Sequence, residues 1–180
     1  MPQYSKIQFI AYEVPTLQLA GPGNFARPAA PVAAIDPLYH TWNLADNDAR
    51  NRVLRLVKAA DFARTTGAAS LGGADTLKVF VAPEFYFRDA ASLEGYTSQS
   101  TVNNLYAALL AAFKQDVYKD WLIVPGSIFW SQTTPQSAYL NTVMAIRGRA
   151  ADIVPSGAAS AVPVVTNGTT NQKALMSHID

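Results

Sequence analysis

Two short, almost unbroken apolar runs, LKVFVA (Leu77–Ala82) and WLIV (Trp121–Val124), constrain this chain more than any other feature. Runs of that length and composition read as strands covered by helices on both faces. Each follows a stretch with helical spacing. In ARNRVLRLVKAADFARTTG, Val53, Leu56, Val57, Ala60 and either Phe62 or Ala63 fall on one face, behind a cap at Asp46 or Asn47. Gly67 ends that helix in the manner of a C-terminal glycine. Across Val102–Val117, Leu105, Leu109, Ala112 and Phe113 recur at the same period.

The remaining segments complete the pattern. Ser5–Val14 alternates Ile7, Phe9 and Ala11 with mixed neighbours, as a core strand would. Trp121–Trp130 is strand-like throughout, and AYLNTVMAIRGR follows a Thr-Pro turn. Val162–Thr166 and Thr169–Met176 flank Asn167-Gly168, the common signal for a tight hairpin, which places Lys173 on a returning strand. Strand, helix, strand, helix, strand, strand implies an α/β layer architecture in a single domain spanning 1–180. Residues 15–42 hold five prolines and two glycines and read as one long loop, an insertion or the edge of a site. Ala150–Ala161 reads as a connection.

Composition excludes several classes of function. The formal net charge is +1 with Lys and Arg scattered, so there is no electrostatic footprint for nucleic acid. No run reaches membrane-spanning length and the N-terminus lacks a secretory signature, so a cytoplasmic location is expected. There is no cysteine, which removes disulfides, thiolate metal sites and any thiol nucleophile within these residues. His40 and His178 have no ligand spacing, Gly21-Pro22-Gly23 is too short to cradle phosphates, and neither metal nor cofactor is expected.

Chemistry concentrates where LKVFVA runs into Pro83, Glu84 and three aromatics, Phe85, Tyr86 and Phe87. An acid at the C-terminal end of a buried strand stands where open α/β sheets bind ligands. Apolar rings around it would tune it towards a general base. An ordinary role is equally open: a strand-end acid paired with Arg88. Ser127, Ser131 and Ser177 are available hydroxyls, but none is signalled with a partner histidine. A glycosidase-like pair of Glu84 with Asp89 or Glu94 would need two acids facing across a cleft.

Pro83-Glu84, Gly95-Tyr96, Gly126-Ser127, Asn141-Thr142 and Lys173 occur in an order that resembles the carbon–nitrogen hydrolase family, the nitrilase superfamily. The resemblance covers most of these residues but only the N-terminal part of a family domain. It implies a nitrilase-like αββα sandwich, here incomplete at the C-terminus, and a Glu, Lys, Cys triad acting on an amide, nitrile or carbamoyl group. By that resemblance Glu84 is the general base and Lys173 the charge that stabilises the oxyanion, while a solvated hairpin lysine is the plain alternative. The family nucleophile is a cysteine, so this chain alone is expected to be inactive. Its partners would be a small amide or nitrile substrate in the full-length relative, and a second copy or a missing C-terminal segment that covers the open sandwich. The alternative function is a catalytically silent α/β interaction or regulatory module.

Overall fold

Strand β1 (Lys6–Ala11) runs parallel to β2 (Thr76–Val81), and β2 parallel to β3 (Trp121–Val124). The computed structural model describes residues 4–14, 42–67, 70–89, 95–132, 138–148, 155–156, 164–165 and 168–175. Helix α1 (Asn47–Thr66) connects β1 to β2, and helix α2 (Gln99–Phe113) with a short 3-10 turn (Asp116–Tyr118) connects β2 to β3. These crossovers let neighbouring strands run in the same direction. Strand β4 (Ser127–Gln132) follows β3 almost at once, and β5 (Ala138–Arg147) turns back antiparallel. Two short strands, β6 (Pro155–Ser156) and β7 (Val164–Val165), pair with each other, and β8 (Gly168–Leu175) joins the main sheet.

The mixed six-stranded sheet is organised by β5. Tyr139 to Val143 are opposed by residues of both β4 and β8, and Ile146 by both Ile123 and Gly168. So β4 and β3 succeed one another along one edge of β5, while β8 runs along the other. β8 makes eight pairs with β5 and β7 pairs with β6, while the turn of the expected final hairpin, residues 166–167, lies outside the described residues. Lys173 does stand on a strand, but its neighbour is Asn141.

Both helices bury against one face of the sheet. Val53, Leu56, Val57 and Ala60 of α1 and Leu105, Leu109, Ala112 and Phe113 of α2 share a core with Phe80, Trp121, Ile123, Met144 and Ile146. Asp46 caps α1 by accepting from the Ala49 N–H at 2.8 Å. Gly67 closes it at φ −82°, without the left-handed conformation expected there. Of the two candidates at its C-terminal end, Ala63 packs on the core and Phe62 is exposed. The second helix starts earlier than expected and stops at Phe113. The chain then tightens so that Tyr118 can pack edge-on against Phe113 and Trp121 and donate to Asp61 of α1 at 2.8 Å.

The opposite face departs from the expectation of strands covered on both sides. Leu77, Val81, Leu122 and Val124 are half-buried. Ile7 and Phe9, expected in the core, are 62 % and 75 % exposed. Register decides this: Ile10 pairs with the core residue Phe80, so Phe9 and its partner Val79 fall on the other face. The 15–41 part of the long loop, His40, Glu94, residues 150–154 and 157–161 of the expected connection, Asn167, Ser177 and His178 lie outside the described residues. Among the described residues no helix is long and apolar enough to cross a membrane.

Phe80→Ala is expected to cost about 3–5 kcal/mol, the range for emptying a large core site. Phe9→Gln should stay within about 0.5 kcal/mol. Urea denaturation of the two variants checks which face is the core, and equal losses would contradict it.

Candidate active site

The parallel ladder between β2 and β3 breaks on both strands at the same level. Ala82 still donates to the Val124 carbonyl at 2.9 Å, then Pro83, Glu84 and Phe85 turn away while Pro125 and Gly126 do the same opposite. Pairing resumes beyond the break, where Phe87 donates to the Ser127 carbonyl at 3.0 Å and accepts from Phe129 at 2.8 Å. Further along, Tyr96 brackets β4 in the same way. Glu84 therefore sits on a turn held at both ends by parallel pairing.

Gly126 makes that turn possible. Its φ is +85°, and a Cβ there would stand 2.4 Å from the Pro83 carbonyl oxygen and 2.7 Å from the Tyr86 Cβ. Only glycine meets both demands. Gly95 is the parallel case at the Tyr96 bracket, with φ +82° and its Cβ position 2.6 Å from the Phe129 carbonyl oxygen. Phe85 takes φ 57°, uncommon for an aromatic residue. Its N–H is satisfied by Ser127 Oγ at 2.7 Å, and Ser127 is only 2 % exposed. Ser127, considered above as a nucleophile, thus serves as the acceptor that stabilises the Glu84 turn.

Helix α1 clamps the same turn from the core side. Arg52 Nη1 donates to the Tyr86 carbonyl at 2.6 Å, and the Tyr86 hydroxyl donates to the Arg52 carbonyl at 3.0 Å. Burial opposes the Arg52 charge, but Asp48, 2.6 Å from Arg52 Nε, more than offsets it, and the guanidinium is held above its ordinary value. Burial likewise raises the Tyr86 phenol well above its usual range, so it remains a donor.

These contacts correct the picture of three rings around the acid. Tyr86 and Phe87 turn into the core, where they meet edge-on at 4.9 Å. Phe85 instead lies edge-on to Phe129 at 5.5 Å, Phe129 stacks on Tyr139 at 5.8 Å, and the Arg88 guanidinium sits over the Phe129 ring at 5.7 Å. Glu84 itself is exposed.

The partner of Glu84 is Asn141. Its Nδ2 donates to Glu84 Oε1 at 2.6 Å across 57 residues of sequence. Asn141 is 3 % exposed and lies on the central strand β5, on the face away from the helices. The next residue, Thr142, points to the other side and accepts from the buried Trp130 indole at 2.8 Å. The Asn-Thr pair thus ties the site to the core through alternate faces of one strand. Directly across from Asn141 on β8 stands Lys173. In backbone register Lys173 is therefore a neighbour of the asparagine that holds Glu84, a hydrogen bond that was not anticipated from the sequence.

At the C-terminal ends of β1 and β2 lies an open depression of about 500 Å³ lined by Ala11, Tyr12, Glu13, Val14, Val81, Ala82 and Pro83. It adjoins the Glu84 turn at Pro83 and is mainly apolar, in the crevice position common to open α/β sheets.

Gly126→Ala is expected to cost at least about 2 kcal/mol, combining a left-handed backbone with a close approach to carbonyl oxygen. Thermal or urea denaturation reads this, and a neutral result would contradict the described break. Comparison with protein-family models, curated proteins and solved structures finds no match to this chain.

Proposed function

We propose that this chain carries the base and the charge-stabilising group of a carbon–nitrogen hydrolase of nitrilase-like αββα architecture, acting on an amide, nitrile or carbamoyl compound. The supporting observation is the Glu84–Asn141 hydrogen bond, with Asn141 opposite Lys173 in the β5–β8 register. Glu84 combines a fixed position with exposure, as a group that must exchange protons with a substrate requires. One-sided helix packing also agrees with half of a layered sandwich.

In this reading Glu84 accepts the proton of a thiol, and the thiolate adds to the carbonyl or nitrile carbon. Charge gathers on the substrate oxygen or nitrogen, where the Lys173 ammonium stabilises it. For an amide, the proton on Glu84 passes to the leaving nitrogen, and water then releases the acyl group from sulfur. The thiol comes from outside these 180 residues, which contain no cysteine. The chain alone should hydrolyse nothing.

A second reading, a non-catalytic interaction module, is favoured by the exposure of Ile7 and Phe9 on the face that the helices leave uncovered. It retains the fold and uses that face for association with another copy or segment.

The readings separate in a longer polypeptide that contains these residues together with a cysteine. Its turnover of carboxamides, nitriles and N-carbamoyl compounds should fall about 100-fold or more in Glu84→Gln and in Lys173→Met, with KM little changed. Full kcat in Glu84→Gln would remove the enzymatic reading.

A further inference from the structure

The outer edge of β1 is open. The sheet order begins with β1, and among the described residues no strand pairs with its far side. The backbone bonds to β2 show which groups are left over. Lys6 N–H donates to the Asp75 carbonyl and Tyr12 N–H to the Val81 carbonyl, so the even-numbered residues face β2. Backbone groups alternate along a strand, so those of Ile7, Phe9 and Ala11 point outward. At β4 the outward groups are taken up: Phe87 and Tyr96 bond those of Ser127, Phe129 and Ser131.

An open strand edge is normally guarded by a proline, a bulge or an outward charge. Ile7–Ala11 has none of these. The one charge on β1, Lys6, stands at its first position and is drawn back to Asp75 at 3.4 Å. Ile7 and Phe9, whose backbone groups face outward, also carry exposed apolar side chains. An added strand would therefore satisfy backbone and cover apolar surface together.

Symmetry says which strand fits. A second copy offers the same three outward residues, and in an antiparallel pairing outward residues must meet outward residues. Within the bounds of β1 one register engages all three: Phe9 opposite the partner's Phe9, and Ile7 opposite the partner's Ala11. Opposed side chains share a face, so the helix layers of both copies fall on one side of the joined sheet and the exposed residues on the other. At the ends Lys6 comes opposite Tyr12 and Ser5 opposite Glu13, so no like charges meet. Both edges are used up, and the assembly closes at two.

We propose that two copies of this chain join through their β1 strands, antiparallel about Phe9, into one continuous sheet. The pairing depends on neither reading of the site, because it uses only the backbone of β1 and the side chains beside it.

The test uses the whole 180-residue chain. In sedimentation equilibrium it should approach twice the mass of one chain as concentration rises. Phe9→Lys, which sets two ammonium groups face to face on the symmetry axis, should weaken that association at least about tenfold. Phe62→Lys, on the exposed side of α1, should leave it unchanged. Because the chain has no cysteine, introduced ones report the register. Opposed residues stand about 5.5 Å apart between Cα atoms, within disulfide reach. Under mild oxidation Phe9→Cys should cross-link to itself. Ile7→Cys, whose two copies would stand about 14 Å apart, should cross-link only when mixed with Ala11→Cys. Should these variants fail to fold, amide hydrogen exchange on the unaltered chain decides, with Ile7, Phe9 and Ala11 exchanging more slowly at high concentration than at low. A chain that stays monomeric throughout the series, equal weakening by Phe62→Lys, equal cross-linking of Phe9→Cys and Ile7→Cys alone, or edge amides indifferent to concentration would overturn the pairing. Protection of those amides only in a longer polypeptide would also overturn it, and would assign the edge to a segment of that polypeptide.

Discussion

The close approach of Gly126 to Pro83 governs the architecture around the candidate site. Where the two parallel strands leave their ladder here, the diverted backbones pass so close that a side chain at position 126 would collide with Pro83 and Tyr86. Once the glycine permits the break, the unpaired polar groups find partners nearby: Ser127 takes the Phe85 N–H, and Arg52 takes the Tyr86 carbonyl. The result is an acid presented on a short turn whose backbone groups are supported from the core side. Such support is what keeps a positive φ at Phe85 tolerable, at a cost of order 1–3 kcal/mol.

β5 has a different part in the same design. It has neighbours along both edges over most of its length, and consecutive residues serve opposite layers. Thr142 satisfies a tryptophan in the helix-facing core, and Asn141 satisfies a carboxylate on the other side. Because side chains alternate strictly, a slip of one residue would exchange these roles and leave both the indole and the acid without partners. The register of the sheet and the geometry of the site are therefore one constraint.

The sequence was legible where structure is local. The spacing of Val53, Leu56, Val57 and Ala60 located the first helix, and the apolar runs located β2 and β3, because periodicity reports burial within one element. Acid and amine were picked out by position and resemblance. What could not be read was which side of a strand faces inward when both sides carry apolar residues, as in β1, where Ile7 and Phe9 compete with Ile10 and Tyr12. Nor could pairing at long range: the bonds from Glu84 to Asn141 and from Phe85 to Ser127 span 57 and 42 residues. The long-range pairing of β8 with β5 was likewise out of reach, because the Asn167-Gly168 signal speaks only of neighbouring residues. Glycine at 95 and 126, and serine at 127, entered the reading through a resemblance, and their backbone roles became visible only in three dimensions.

The reciprocal grip between Arg52 and Tyr86, in which each side chain holds the other residue's carbonyl, has a mechanical result. It ties the second turn of α1 to the acid-bearing turn. The backbone that presents the acid is thereby anchored in the helical layer as well as in its own sheet.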